Sequence, residues 1–460
     1  MSFLYAFGWA SIMLLIGVLL RAKIPFLGNM LVPASVIAGV VGFIFMNAAM
    51  GLGIGIGTDT DMFTTIVNNL FTISFISITL TSSSSGGGNS AKNTIKGAWG
   101  MGLIWCLLYA LTPLIGCGVI ALIGGSMDSI YGMLVQFAFC QGPGQAATYG
   151  AIFEGYGWTN ATMVAIAFSA IGFVAAFGIG IPLAKFGIRH GLAKHCGKID
   201  ETTLKGYYKP EEQVVTGNKE TTCTSNIETL TFHFAIIGLC YVLACGIATL
   251  LGMIPGFLGT SFSGMMFING MYAALIVKFV MKKLGLSYLL DNTLQSKITG
   301  WTTDYLVVCA FMAVSLNVIS AWIVQMLILC VVITAVTFVV CMYFGPRFGG
   351  YNDFERTLGM YGQCTGTTPT GIALIRIVDP NYHTSTAVEL GGTNIVMLLC
   401  TPVVILLTAV ASGSISIPIT CGGLAICVAA YLIILKVSGS WKKPTFSFKE
   451  AKGTVAEETA

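Results

Sequence analysis

Long apolar runs separated by short polar breaks set the pattern of this chain. At about 20 apolar residues per membrane crossing, the pattern predicts spans near 3 to 20, 31 to 50, 62 to 80, 98 to 123 and 160 to 187. A polar stretch from about 188 to 229 follows. Spans near 231 to 252, 260 to 281, 302 to 321, 323 to 343, 388 to 410 and 415 to 435 complete eleven expected crossings, closed by a charged tail.

Two apolar, glycine-rich segments do not fit as full crossings. Phe137 to Phe153, at the centre of a segment of about 135 to 155, lies between spans whose ends both face outside. Gly359 to Leu374, within about 358 to 378, lies between spans whose ends both face inside. Each predicts a re-entrant hairpin, one dipping from each face. Glycines and a proline break the helix at the tip, and backbone freed at membrane depth is tolerated only where it lines a polar cavity.

Charge fixes the orientation of this scheme. With the N-terminus outside and the C-terminus cytoplasmic, all 23 Lys and Arg fall on the cytoplasmic side, from Arg21 and Lys23 to Lys442 and Lys443. The outside loops at 51 to 61 and 124 to 130 carry only Asp59, Asp61 and Asp128. The first apolar run lacks a basic leader and a small-residue cleavage site, so it reads as a retained helix.

Five spans with a hairpin before the fifth occur in each half, and an odd number of spans per repeat turns the second copy upside down. Ile24-Pro25-Phe26-Leu27-Gly28 recurs as Ile254-Pro255-Gly256-Phe257-Leu258-Gly259. The expected fold class is an all-α polytopic membrane protein. Two inverted-topology repeats, 1–190 and 230–411, flank a cytoplasmic linker at 191–229. An extra helix at 412–436 and a cytoplasmic tail at 437–460 complete it. Paired hairpins entering from opposite faces point to a binding site near the membrane midplane.

Composition excludes most other classes. With 55% hydrophobic and 9% charged residues, the chain has too little polar surface for a soluble globule. The basic residues form no stripe suited to nucleic acid. Most of the 14 Cys lie in apolar runs without a CxxC pair, and read as packing residues. Ser82 to Gly88 lacks the Gly-Lys-Ser/Thr ending of a phosphate loop and reads as a flexible cytoplasmic loop. No cofactor is expected.

Several separated motifs carry a family resemblance over nearly the whole length. They are Gly142-Pro-Gly-Gln-Ala-Ala147, Phe153-Glu-Gly-Tyr-Gly-Trp-Thr-Asn-Ala-Thr162 and Gly366-Thr-Thr-Pro-Thr-Gly-Ile-Ala373, with Arg21 to Leu27, Val32 to Val36 and Gly180 to Lys185. In these the chain resembles the bacterial sodium/glutamate symporters. It departs from their pattern at Pro143, where Gly-His-Gly is usual, and at Leu374, where Asn usually follows. The resemblance implies Na⁺-coupled uptake of an acidic amino acid, an inner-membrane location, a homodimer and a translocation site formed by the two hairpins.

The tips offer chemistry to match. A small anionic amino acid would meet Gly142, Gly144, Gln145, Thr148, Thr367, Thr368, Thr370 and Arg376, its carboxylate facing helix N-terminal amides. Na⁺, a hard cation in need of oxygens, would draw on Gln141, Gln363, Thr365, Asn317 and Asn394. Arg376 is the basic residue expected beside a tip; it either screens substrate charge or pairs with Asp379 at i, i+3. Asn317 and Asn394 serve equally well as interhelical hydrogen bonders. Asp304 and Glu389 are expected at the cytoplasmic interface, and Glu154 at the rim of the first hairpin. Competing classes are a symporter of another small solute coupled to Na⁺ or H⁺, a passive channel, a membrane enzyme and an ATP-driven pump. The last two lack a catalytic set and a nucleotide motif.

Overall fold

A computed structural model describes residues 1–29, 32–81, 89–193, 195, 205, 219–223, 225–379 and 383–446. The described residues form helices and no strand. The serine-glycine run at 82–88 and most of the expected linker lie outside the described residues.

The first half contains α1 (Ser2–Lys23), α2 (Ala34–Gly51), α3 (Thr60–Leu80), α4 (Asn89–Ile123), two short helices α5 (Val135–Gln141) and α6 (Pro143–Gly155), and α7 (Ala161–Arg189). The second contains α8 (Thr229–Gly252), α9 (Met266–Lys283), α10 (Asn292–Met312), α11 (Ile323–Phe344), the short α12 (Asp353–Thr365) and α13 (Thr368–Val378), then α14 (Thr386–Val396), α15 (Thr401–Ala411) and α16 (Ile417–Val437). Local chemistry sets the ends. Pro25 forces Ile24 into the extended region and stops α1. Asp59 and Asp291 cap α3 and α10 by accepting from the Met62 and Leu294 amides.

Among the described residues, eight helices are long and apolar enough to cross a membrane, or nine if the pair bent by 41° at Asn394–Met397 is one span. That is fewer than the eleven crossings expected. The segments expected at 260 to 281 and 302 to 321 coincide largely with α9 and α10. Lys278, Lys282 and Lys283 load α9 with charge, and the first half of α10 is polar, with Gln295, Ser296, Lys297 and Thr299. The span expected at 388 to 410 is bent, because Pro402 cannot donate to the turn before it.

The helices sort into two groups. α1, α2 and α3 pack with α8, α9 and α10, whereas α4 and α7 gather the four short helices together with α11, α14 and α16. The main seam between the groups runs where α6 lies along α3. Phe71, Phe75 and Phe267 pack edge-on or tilted beside that seam, with ring centroids 4.8 to 5.3 Å apart.

Candidate translocation site

Each half carries a helix broken at a glycine. Between α5 and α6 the break is Gly142, at φ +76° and ψ −165°, a conformation open essentially to glycine alone. Pro143 then starts α6, where its missing N–H costs nothing. In the second pair the break is Gly366 and Thr367. Thr367 is extended, and its hydroxyl accepts from the Thr370 amide at 3.3 Å and lies 3.0 Å from the Thr370 hydroxyl. Pro369 occupies the first turn of α13.

The two breaks meet. A Cβ on Gly142 would overlap the Thr367 methyl group and lie 3.1 Å from the Gly366 carbonyl oxygen. Four helix ends therefore converge. The N-termini of α6 and α13 bring partly positive amides, and the C-termini of α5 and α12 bring partly negative carbonyls. An anionic group and a cation can be held side by side in such a place.

Side chains around the tips are buried and held. Gln145 Oε1 accepts from the Tyr109 hydroxyl of α4 at 3.1 Å. Thr148 donates to the Gly144 carbonyl at 2.9 Å and faces Asn68 Oδ1 of α3 at 3.3 Å. Gly144 packs on Phe71 so closely that a Cβ would overlap the ring. Gln141 Nε2 points at Met397 Sδ, in the bend of the last span. Gln363 donates to the Thr368 hydroxyl at 3.2 Å and to Thr393 of α14 at 2.9 Å, and Thr365 bonds back to the Tyr361 carbonyl at 2.6 Å.

Other residues expected at the site lie apart from this core of contacts. Asn394 is buried next to Thr393, and its amide donates to the Gly391 carbonyl. Asn317 is exposed in the short helix Leu316–Ile319. Arg376 is exposed in the last turn of α13, nine residues past Thr367. The Asp379 carboxylate accepts from the His383 and Thr384 amides and the Thr384 hydroxyl. Glu154 accepts from the Thr162 amide at the start of α7.

One expectation about charge is corrected. Arg376 is not the sole basic residue on the second broken helix pair, because α12 begins earlier than expected and takes in Arg356. Arg356 makes a bidentate pair with Glu389, at 2.7 and 2.8 Å, and reaches Asp353 at 3.1 Å. Glu389 is wholly buried: Gly97 of α4 covers it, and a Cβ there would overlap the carboxylate. Tyr109, Asn68, Thr393 and Met397 also escaped the sequence reading. Asn68 did leave a trace, as half of an Asn-Asn pair within an apolar run.

Comparison with known proteins decides the class. Residues 1–384, which include both broken helix pairs, match the family model described as Sodium/glutamate symporter. The chain belongs to the sodium/glutamate symporter family. It is similar to the sodium/glutamate symporters of Escherichia coli (strain K12) and Shigella flexneri, 25% identical to each over 283 residues. That match covers 60% of this chain and 66% of each relative, just under two thirds of their length. Membership makes this a multi-pass membrane transport protein, consistent with its apolar helices. The sodium/glutamate symporter match ends before α14, α15, α16 and the tail.

Proposed function

We propose that this protein is a Na⁺-coupled symporter that imports glutamate or a related small anionic amino acid by alternating access. The observation that carries the reading is the contact of Gly142 with Gly366 and Thr367, which brings four helix ends to one point. Amides at the starts of α6 and α13 would hold the substrate carboxylate, with Gly142, Gly144, Gln145, Thr148, Thr367, Thr368 and Thr370 around it. Carbonyls at the ends of α5 and α12, with Gln141, Gln363, Thr365 and Asn394, would hold Na⁺. Arg376 and Asn317 would act from further out, on the path of approach.

In this reading each broken pair is a re-entrant hairpin, and the two halves are inverted repeats with the N-terminus outside and the C-terminus in the cytoplasm. The group holding the short helices moves against α1–α3 and α8–α10, which face the partner in a homodimer. The grouping of helix contacts supports that division, since α6 on α3 is the main seam between the two. A ligand can drive the motion only through different affinities for the two states.

The test is uptake of labelled glutamate, aspartate, dicarboxylates and neutral amino acids into proteoliposomes, with and without an inward Na⁺ gradient. Saturable glutamate uptake that needs the gradient is expected. Uptake indifferent to Na⁺, or a preference for neutral solutes, would overturn the proposal and favour a symporter of another solute or coupling ion.

A further inference from the structure

The last described stretch of the chain turns back onto the second broken helix pair. After α16 ends, the Lys442 amide donates to the Arg347 carbonyl at 2.8 Å, and the Thr445 amide donates to the Pro346 carbonyl at 2.7 Å. The Thr445 hydroxyl shares its one proton between two acceptors, Asp353 Oδ2 at 2.8 Å and the Pro346 carbonyl at 2.9 Å. Phe446 sets its ring edge-on to Phe354, 5.8 Å between centroids, and Trp441 packs on Phe344 at 5.1 Å. All five partners lie between the end of α11 and the start of α12.

Asp353 is where this contact gains reach. Its carboxylate is nearly inaccessible and accepts from the Gly349 and Gly350 amides, from Thr445 and from Arg356 Nη1. Arg356 in turn grips Glu389 of α14. Thr445 thus adds a donor to a carboxylate that orients the arginine joining α12 to α14. Removing it leaves Asp353 Oδ2 with the Gly349 amide alone, which loosens the whole relay.

We propose that residues 441–446 form a strap that fixes the base of the second broken helix pair and thereby sets how firmly its tip holds Na⁺. Thr445 and Phe446 act as positioning residues, through Asp353 and Phe354. The strap belongs to a part of the chain beyond the family match, yet it grips an element inside that match. The effect on Na⁺ rests on the symport reading above; the mechanical claim does not.

The experiment compares full-length Thr445→Val, Phe446→Ala and the double variant with wild type, and uses Val437→Ala, an exposed position on α16, as control. Amide hydrogen exchange is followed in the reconstituted protein at residues 349–358, with residues 6–20 of α1 as internal reference. Exchange at 349–358 should quicken at least about fivefold in the double variant, with α1 unchanged. The Na⁺ concentration for half-maximal glutamate uptake should rise about threefold or more, with the control like wild type. Wild-type exchange at 349–358 in every variant would overturn the strap. Faster exchange with unchanged Na⁺ dependence would overturn its effect on the tip. Should the double variant fail to fold, Thr445→Val keeps the side-chain shape and decides the same question. A wild-type protein without Na⁺-driven uptake would sink the symport reading, and the exchange comparison would still judge the strap.

Discussion

Gly142 faces Thr367 with no space for a side chain between them, so the tip of one broken helix pair is seated on the other. Neither tip can shift without the other yielding. Gly142→Ala combines this overlap with a backbone conformation of φ +76° that costs an alanine about 1–3 kcal/mol. Uptake should fall by about tenfold or more, and the melting temperature of the purified protein should drop. Adding Thr367→Ala removes the methyl group but leaves the backbone strain. The double variant should therefore recover part of the stability lost by the single one. Thermal melts and initial uptake rates check this, and a single variant like wild type would show that the tips part in the working protein.

The pair between Arg356 and Glu389 ties the first arm of the second helix pair to α14, away from bulk water. A buried pair is weak evidence of net stability, but breaking one by removing a single partner is costly, about 3–5 kcal/mol. Arg356→Met and Glu389→Leu should each lower the melting temperature sharply. Together they should cost less than Arg356→Met alone, because Glu389 no longer stays buried without its arginine, and the Asp353 carboxylate keeps the Gly349 and Gly350 amides and Thr445. A double variant as unstable as the sum of the singles would show that the two groups do not depend on each other.

The helical architecture and the two breaks were legible in the sequence because both depend on local composition. Apolar length sets a span, and Gly-Pro or Gly-Thr-Thr-Pro ends a helix wherever it occurs. What joins the breaks was not legible, since contact between Gly142 and Thr367 links residues far apart in the chain. Arg356 illustrates the limit. Its charge and its place near a turn read as a solvated loop, and only the fold brings Glu389 and Asp353 within reach. The helices α9 and α10, more polar than the eight apolar ones, show the same limit. Their polar residues find partners in neighbouring helices, as Lys278 does in the Thr79 and Thr81 carbonyls, which an average over one segment does not register.

Cysteine chemistry offers a check outside the long apolar helices. Cys223 is exposed before α8, and hydrogen bonding from Ser225, whose hydroxyl lies 3.1 Å from the sulfur, holds its thiol below the usual value. A lowered thiol value means more thiolate at a given pH, so labelling by a hydrophilic maleimide should begin at lower pH than for an ordinary cysteine. Among the described cysteines Cys223 should react first; Cys245, also exposed, lies within the apolar α8. Ser225→Ala should move the labelling profile to higher pH. Mass spectrometry of labelled peptides reads both outcomes, and an unmoved profile would count against the role of Ser225.

Gln145 and Thr148 occupy successive turns of α6 but are held by different groups. Gln145 is tied to Tyr109 of α4, within the group of helices that includes the tips, and Thr148 faces Asn68 of α3, across the seam. If the two groups move against each other, the first bond persists through the cycle and the second is made and broken. Tyr109→Phe leaves a buried acceptor unpaired in every state, at about 1–3 kcal/mol. It should lower stability and raise the KM for glutamate severalfold. Asn68→Ala removes a contact confined to one state, so it should change the maximal uptake rate more than the melting temperature. Uptake kinetics with thermal melts on both variants separate the cases. Equal loss of stability in both would place Asn68 and Thr148 in one rigid unit and move the seam elsewhere.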